Sequence, residues 1–238
     1  MSLLRIPFGD TIVSFQQGLV NEHSLVKTVE ISIAAGDSRA AVECCTPQEV
    51  DAIMDDKQLC EEVLSRETVY PGVIIRLEHW QVRLPNGEPA LREVARHPGA
   101  AAVVALDEQG QVILVRQHRV AVGRVTLEIP AGKLDSPTED PFVCAQRELS
   151  EETGLTAASW RKLTCLETTV GFCDERIHIY LATGLQQGDS HPDEDEFVSV
   201  LRLPLAEAVQ RVMAGEIRDA KTALALLMTA QSTTIPIK

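Results

Sequence analysis

Apolar and polar positions change places in short alternating runs more often than they recur at helical spacing, so strands outnumber helices along this chain. Val29, Ile31 and Ile33 alternate with Thr28, Glu30 and Ser32, the period of a half-buried strand. A second strand is expected over residues 40–45, across a turn at Gly36-Asp37. Thr46-Pro47-Gln48-Glu49 has the form of a capping box with proline at the first helical position, and opens a helical stretch to about Leu64. From Tyr70 the texture changes. A long strand is expected over 73–84, a turn at Pro85-Asn86-Gly87, and a returning strand over 91–97. Apolar strands follow over 101–106 and 112–116, then a short one at 126–130. One helix interrupts the strands inside 140–154. Strands over 159–168, 176–183 and 197–203 come next, and helices over 206–214 and 219–229 close the chain.

Strands broken by one central helix and ended by two more predict an α+β fold, an α/β/α sandwich around a mixed sheet. A small β-β-α extension over residues 1–67 precedes the main domain at 68–238. No fixed period runs through the chain, so it is not a repeat protein.

Composition narrows the function. The 238 residues are 45% hydrophobic, enough for a core, and no apolar run approaches the roughly 20 residues of a membrane span. The amino terminus lacks the layout of a signal peptide. Six cysteines lie scattered apart from Cys44-Cys45, without a C-x-x-C pair, which points to reduced thiols and a cytoplasmic location. A net charge of −13 excludes a nucleic-acid duplex as partner, because that binding draws on Lys and Arg to neutralise phosphates.

The chemistry concentrates in G-K-L-D-S-P-T-E-D-P-F-V-C-A-Q-R-E-L-S-E-E-T-G-L, residues 132–155. Asp140 is placed to cap a helix, Pro141 suits its first position, and Gly154 suits a left-handed stop. Phe142, Ala145 and Leu149 give that helix an apolar side. Glu148, Glu151 and Glu152 project together, with Arg147 four residues before Glu151. Crowded carboxylates repel unless a cation lies among them, and a hard divalent ion with oxygen ligands, Mg²⁺ or Mn²⁺, answers that need. A solvated acidic face is the ordinary alternative for three such acids alone.

The gapped arrangement of Gly132, Glu139, Arg147, Glu148, Glu151, Glu152 and Gly154 resembles the Nudix box. It departs in one respect: six residues, rather than five, separate Gly132 from Glu139, and the extra one falls in the Ser-Pro-Thr loop. The stretches L-V-R-Q-H-R, L-E-I-P-A-G-K-L-D, G-F-C-D-E-R and R-D-A-K-T-A-L-A-L-L narrow the resemblance to the ADP-ribose pyrophosphatase branch, over roughly residues 70–230. The resemblance implies a Mg²⁺-dependent hydrolase, with Mn²⁺ as a substitute ion, that cleaves the pyrophosphate of ADP-ribose or a similar nucleotide sugar. Metal would be held by Glu148, Glu152, the Ala131 carbonyl and Glu196. Glu194 would position or deprotonate water, Glu151 would share the cluster, and Arg147 would orient the glutamates. Gly132, Glu139 and Gly154 would be structural. Arg119, Arg92, Gly171 and Phe172 would meet the substrate, and a homodimer is expected through residues 71–97. The alternatives are hydrolysis of another nucleoside diphosphate derivative, or a Nudix-like regulatory module that binds without turnover.

Overall fold

The computed structural model describes residues 5–8, 11–19, 25–33, 55–136, 138–188 and 197–234. The chain divides into two compact units, Met1–Cys60 and Glu61–Lys238. In the first, β1 (Arg5–Phe8), β2 (Thr11–Leu19) and β3 (Leu25–Ile33) form an antiparallel sheet in that order. The alternation at 28–33 thus lies in a strand, but its partner is the preceding β2. The strand expected at 40–45, and the start of the helix expected after Thr46, lie outside the described residues.

The far end of that expected helix is overturned. Asp56–Gln58 is a single 3₁₀ turn capped by Asp55, and β4 (Glu62–Pro71) is a strand. Its partner is β5 (Arg76–Arg83), with Glu62 opposite Arg83 and Pro71 opposite Arg76. A helical pattern read from acidic and apolar spacing loses here to a ladder that satisfies the backbone of Glu62–Pro71 from outside the segment. β6 (Pro89–Arg96) completes this small sheet, Arg76 opposite Arg96. The Asn86-Gly87 turn lies where its sequence places it, with Gly87 at φ 90°.

The main sheet has seven strands: β7 (Ala100–Leu106), β8 (Gln111–Arg119), β9 (Arg124–Glu128), β10 (Ala131–Lys133), β11 (Leu155–Glu167), β12 (Arg176–Gln187) and β13 (Val198–Pro204). Its principal order is β11-β12-β7-β8-β13, with β10 pairing β7 and β9 pairing β8. The β12–β7 pairing is parallel and the others are antiparallel, so the sheet is mixed as expected.

The sandwich follows from β7. Its run Ala-Ala-Ala-Val-Val-Ala is buried throughout, as a strand covered on both faces must be. Ala101, Val103 and Ala105 pack with Cys144, Ala145 and Leu149 of α1 (Pro141–Thr153). Ala100, Ala102 and Val104 face the other way, into a layer with Ala208 of α2 (Leu205–Met213) and with Ala225 and Leu226 of α3 (Ala220–Thr234). Alternation along one strand therefore divides two cores between two helical layers.

Candidate functional site

The helix carrying the acidic pattern begins and ends where its sequence dictates. The Asp140 carboxylate accepts from Phe142 N at 2.9 Å, Pro141 occupies the first turn, and Gly154 closes the helix at φ 70°. Phe142 anchors it through an edge-on contact with Trp160, ring centroids 5.5 Å apart. With the apolar side turned to β7, Glu148 and Glu152 are drawn under the short strand β10 at Ala131 and Gly132, and are 6% and 2% exposed.

Two contacts fix that approach. Ala131 N donates to Glu152 Oε2 at 3.1 Å. A Cβ on Gly132 would fall directly on the Glu148 carboxylate, so the first glycine of the motif is required by space rather than by φ. Gly171 differs: a Cβ there would meet nothing.

Arg147 gathers the acids. Its guanidinium lies 2.7 Å from Glu148 and 3.1 Å from Glu151, and reaches Glu139 at 3.5 Å and Asp135 at 3.6 Å. Burial alone would lower its affinity for a proton, but the Glu148 carboxylate leads a group of charges that raise it. Glu139 also accepts from Asp135 N at 2.6 Å, closing the lengthened loop on itself, while Arg147 ties Glu139 to the helix. The extra residue therefore leaves both the loop tie and the helix in place. Cys144, on the packed side, has its thiol pushed up to about 12 by burial and by Glu148, which makes it inert.

Across from the helix is a second charged group. Glu128 is 3% exposed and accepts from Arg119 through both oxygens, at 2.9 and 3.0 Å, from Thr126 Oγ1 at 2.6 Å, and from Lys221 Nζ. Burial by itself would raise its carboxyl, but Arg119, Lys221 and Thr126 outweigh that and hold it at about 2. Lys221 also donates to Asp219 at 3.0 Å. Asp219 caps α3 by accepting from Thr222 N, and Thr222 Oγ1 accepts from Ile129 N at 2.9 Å, which ties the end of β9 to the helix.

Between these walls lies a cavity of about 440 Å³, lined by Ala131, Gly132, Lys133, Arg119, Lys221 and Thr169 among others. That size suits a small organic ligand. Sequence reasoning did not single out Lys221, Asp219 or Thr126. The one available signal was Asp219 three residues ahead of Thr222, the spacing of a helix cap. Nothing in sequence revealed that the next lysine reaches Glu128.

The other expected residues are dispersed. Arg92 is paired with Glu61 through both carboxylate oxygens and lines none of the cavities described here. Phe172 is exposed, and its carbonyl accepts from Ala95 N at 2.7 Å, so its loop is held by the main chain to β6. Glu194 and Glu196 lie outside the described residues. Among the described residues no three His, Cys, Asp or Glu side chains form a ready metal cage. The donor set that is present nonetheless fits a hard cation: two buried carboxylates one helical turn apart, meeting the backbone of β10 and offering only oxygen.

A NUDIX domain model matches residues 95–225. The chain is 43% identical over 172 residues to an ADP-ribose pyrophosphatase of Bacillus subtilis, covering 71% of this chain and 92% of that one. It is 41% identical over 168 residues to a methanol dehydrogenase activator of Bacillus methanolicus, covering 70% and 90%. Among solved structures an ADP compounds hydrolase superposes with a TM-score of 0.65 at 24% identity, covering 73% of this chain and 94% of that one, a likeness of fold. With the box helix, its glycine and its arginine assembled in one place, the chain belongs to the Nudix family.

Proposed function

We propose that this protein hydrolyses the pyrophosphate bond of ADP-ribose or a similar nucleotide sugar, giving AMP and a sugar phosphate. The observation that carries the reading is the burial of Glu148 and Glu152 beneath Ala131-Gly132, which line one cavity together with Arg119 and Lys221. A pyrophosphate needs both halves of that arrangement, carboxylates to hold divalent ions and cations for its own oxygens. The similarity to an ADP-ribose pyrophosphatase supports the same substrate class.

In the proposed reaction a water oxygen bonds to one phosphorus as the bridging P–O bond breaks. The bridging oxygen leaves with the other phosphate, and the proton of water is taken up by a base. Glu148, Glu152 and the Ala131 carbonyl would hold the divalent ion, with Glu196 as a further ligand. Bound Mg²⁺, or Mn²⁺ in its place, screens phosphate charge and lowers the pKa of water. Arg147 fixes the rotamers of Glu148 and Glu151 through its two short contacts. Glu194 positions or deprotonates the water. Arg119 turns toward phosphate by exchanging part of its pairing with Glu128 for the substrate, while Lys221 keeps Glu128 neutralised. Gly171 and Phe172 edge the substrate loop.

Arg92 serves this reading across a homodimer. Support for that assembly comes from the small sheet, where Val73, Ile74, Tyr70 and Leu91 are exposed on a module this size. A cytoplasmic location accords with the unpaired thiols at Cys60 and Cys165. The deciding measurement is a panel of nucleoside diphosphate compounds assayed with and without Mg²⁺. ADP-ribose is expected among the best substrates, only with the metal. No turnover of ADP-ribose sinks the substrate claim, and undiminished turnover after chelation sinks the mechanism.

A further inference from the structure

A second cavity, of about 230 Å³, opens between the β8–β9–β13 surface and the connection from α2 to α3, and four arginines line it. Arg116 comes from β8 opposite Leu127, Arg124 from the start of β9, Arg211 from α2, and Arg218 from the connection. In a chain whose acids outnumber its bases by 35 to 22, such a gathering runs against composition. Two members have partners: Arg211 meets Glu207 at 2.6 Å, and Arg218 Nε donates to Gly215 O at 2.8 Å. The side chains of Arg116 and Arg124 make no hydrogen bond or ion pair among the described residues. The lining holds two acids, Glu216 and Asp219, and Asp219 is already engaged by Lys221 and Thr222.

We propose that this cavity is an anion site distinct from the catalytic one, and that it takes a small phosphomonoester. The forked guanidinium is the side chain best matched to phosphate oxygens, and several converging from different elements surround a compact anion rather than a strand or surface. Size restricts the ligand. The cavity has about half the volume of the catalytic one, room for a phosphate with a sugar and too little for two joined nucleotides. Leu127 and Ile217 give the sugar an apolar wall. Bringing four guanidiniums together costs free energy that a bound dianion offsets, as a cation does for crowded carboxylates.

The site does not depend on the proposed hydrolysis, because binding is read without turnover. Ribose 5-phosphate and inorganic phosphate are titrated by calorimetry into the full-length protein, into the Arg116→Ala/Arg124→Ala double variant, and into Arg119→Ala. Both exchanged arginines are exposed, so the double variant should keep its thermal midpoint and its turnover of ADP-ribose. The expected result is a Kd raised at least roughly tenfold by the double change, the loss of one charge-assisted contact or more, and unaltered by Arg119→Ala. Inorganic phosphate should follow the same pattern more weakly. Binding that survives the double change but is lost in Arg119→Ala assigns the ligand to the catalytic cavity and overturns the proposal. Absence of binding to the unaltered protein overturns it as well.

Discussion

The two charged groups beside the larger cavity solve opposite charge problems. On the strand side one carboxylate, Glu128, is shared by Arg119 and Lys221, with Thr126 completing its donors. On the helix side one guanidinium, Arg147, serves Glu148, Glu151, Glu139 and Asp135. The first arrangement is locally balanced and behaves as a strut between β9 and α3. The second gathers four carboxylates around one guanidinium and presents oxygen donors, the kind a hard divalent cation takes.

The comparison can be broken from either side. The largest effect is expected for Glu152→Gln, which keeps shape and removes charge: kcat on ADP-ribose should fall about 10³-fold, the loss of a metal-held site, with the thermal midpoint little changed. A loss below tenfold would mean the helix wall is structural too. Glu128→Ala should act on stability instead, costing about 3 kcal/mol in urea unfolding because Lys221 and Arg119 lose their buried partner. The same wall sets an acid limit. A carboxyl held at about 2 when folded, against 4.5 when free, contributes stability that is complete above pH 4.5 and disappears as pH falls through 2. In Glu128→Gln that share of the acid loss should vanish from unfolding curves taken between pH 5 and 2.

Gly132→Ala tests the join between loop and helix. The added methyl displaces the Glu148 carboxylate, and turnover should drop roughly 30-fold, within the range that a small misplacement of a reacting group can cost. An active alanine variant would show that Glu148 is not fixed by the turn. The smallest effect is expected at Gly154→Ala, where a side chain at φ 70° should cost about 1 kcal/mol. It should leave KM unaltered, since it frays the helix beyond the glutamates.

Much of this was readable in the chain because it is local. Asp140, Pro141 and Gly154 bound their helix by short-range geometry, and Glu148 with Glu152 share a face by helical spacing. Continuous apolar runs likewise marked β7 and β8, which are buried along most of those runs. What sequence could not give was partnership at a distance. Lys221 and Glu128 are 93 positions apart, and neither carries a local sign of the other. Glu62–Leu64 looked helical because the strand that pairs with it was not in view. Arg92 looked available because Glu61 precedes it by 31 positions.

The loop before β12 has one more effect. Ala95 exchanges backbone hydrogen bonds with Phe172 O and Asp174 N, His97 N donates to Asp174 Oδ1 at 2.8 Å, and Arg96 meets the Asp174 carboxylate at 2.6 Å as an ion pair without hydrogen-bond alignment. The last strand of the small sheet is thereby sewn to the cavity's loop. In hydrogen–deuterium exchange the amides of Ala95, His97 and Asp174 should open together as one cooperative unit. Events at the small sheet are thereby passed to the loop whose Thr168 and Thr169 line the larger cavity.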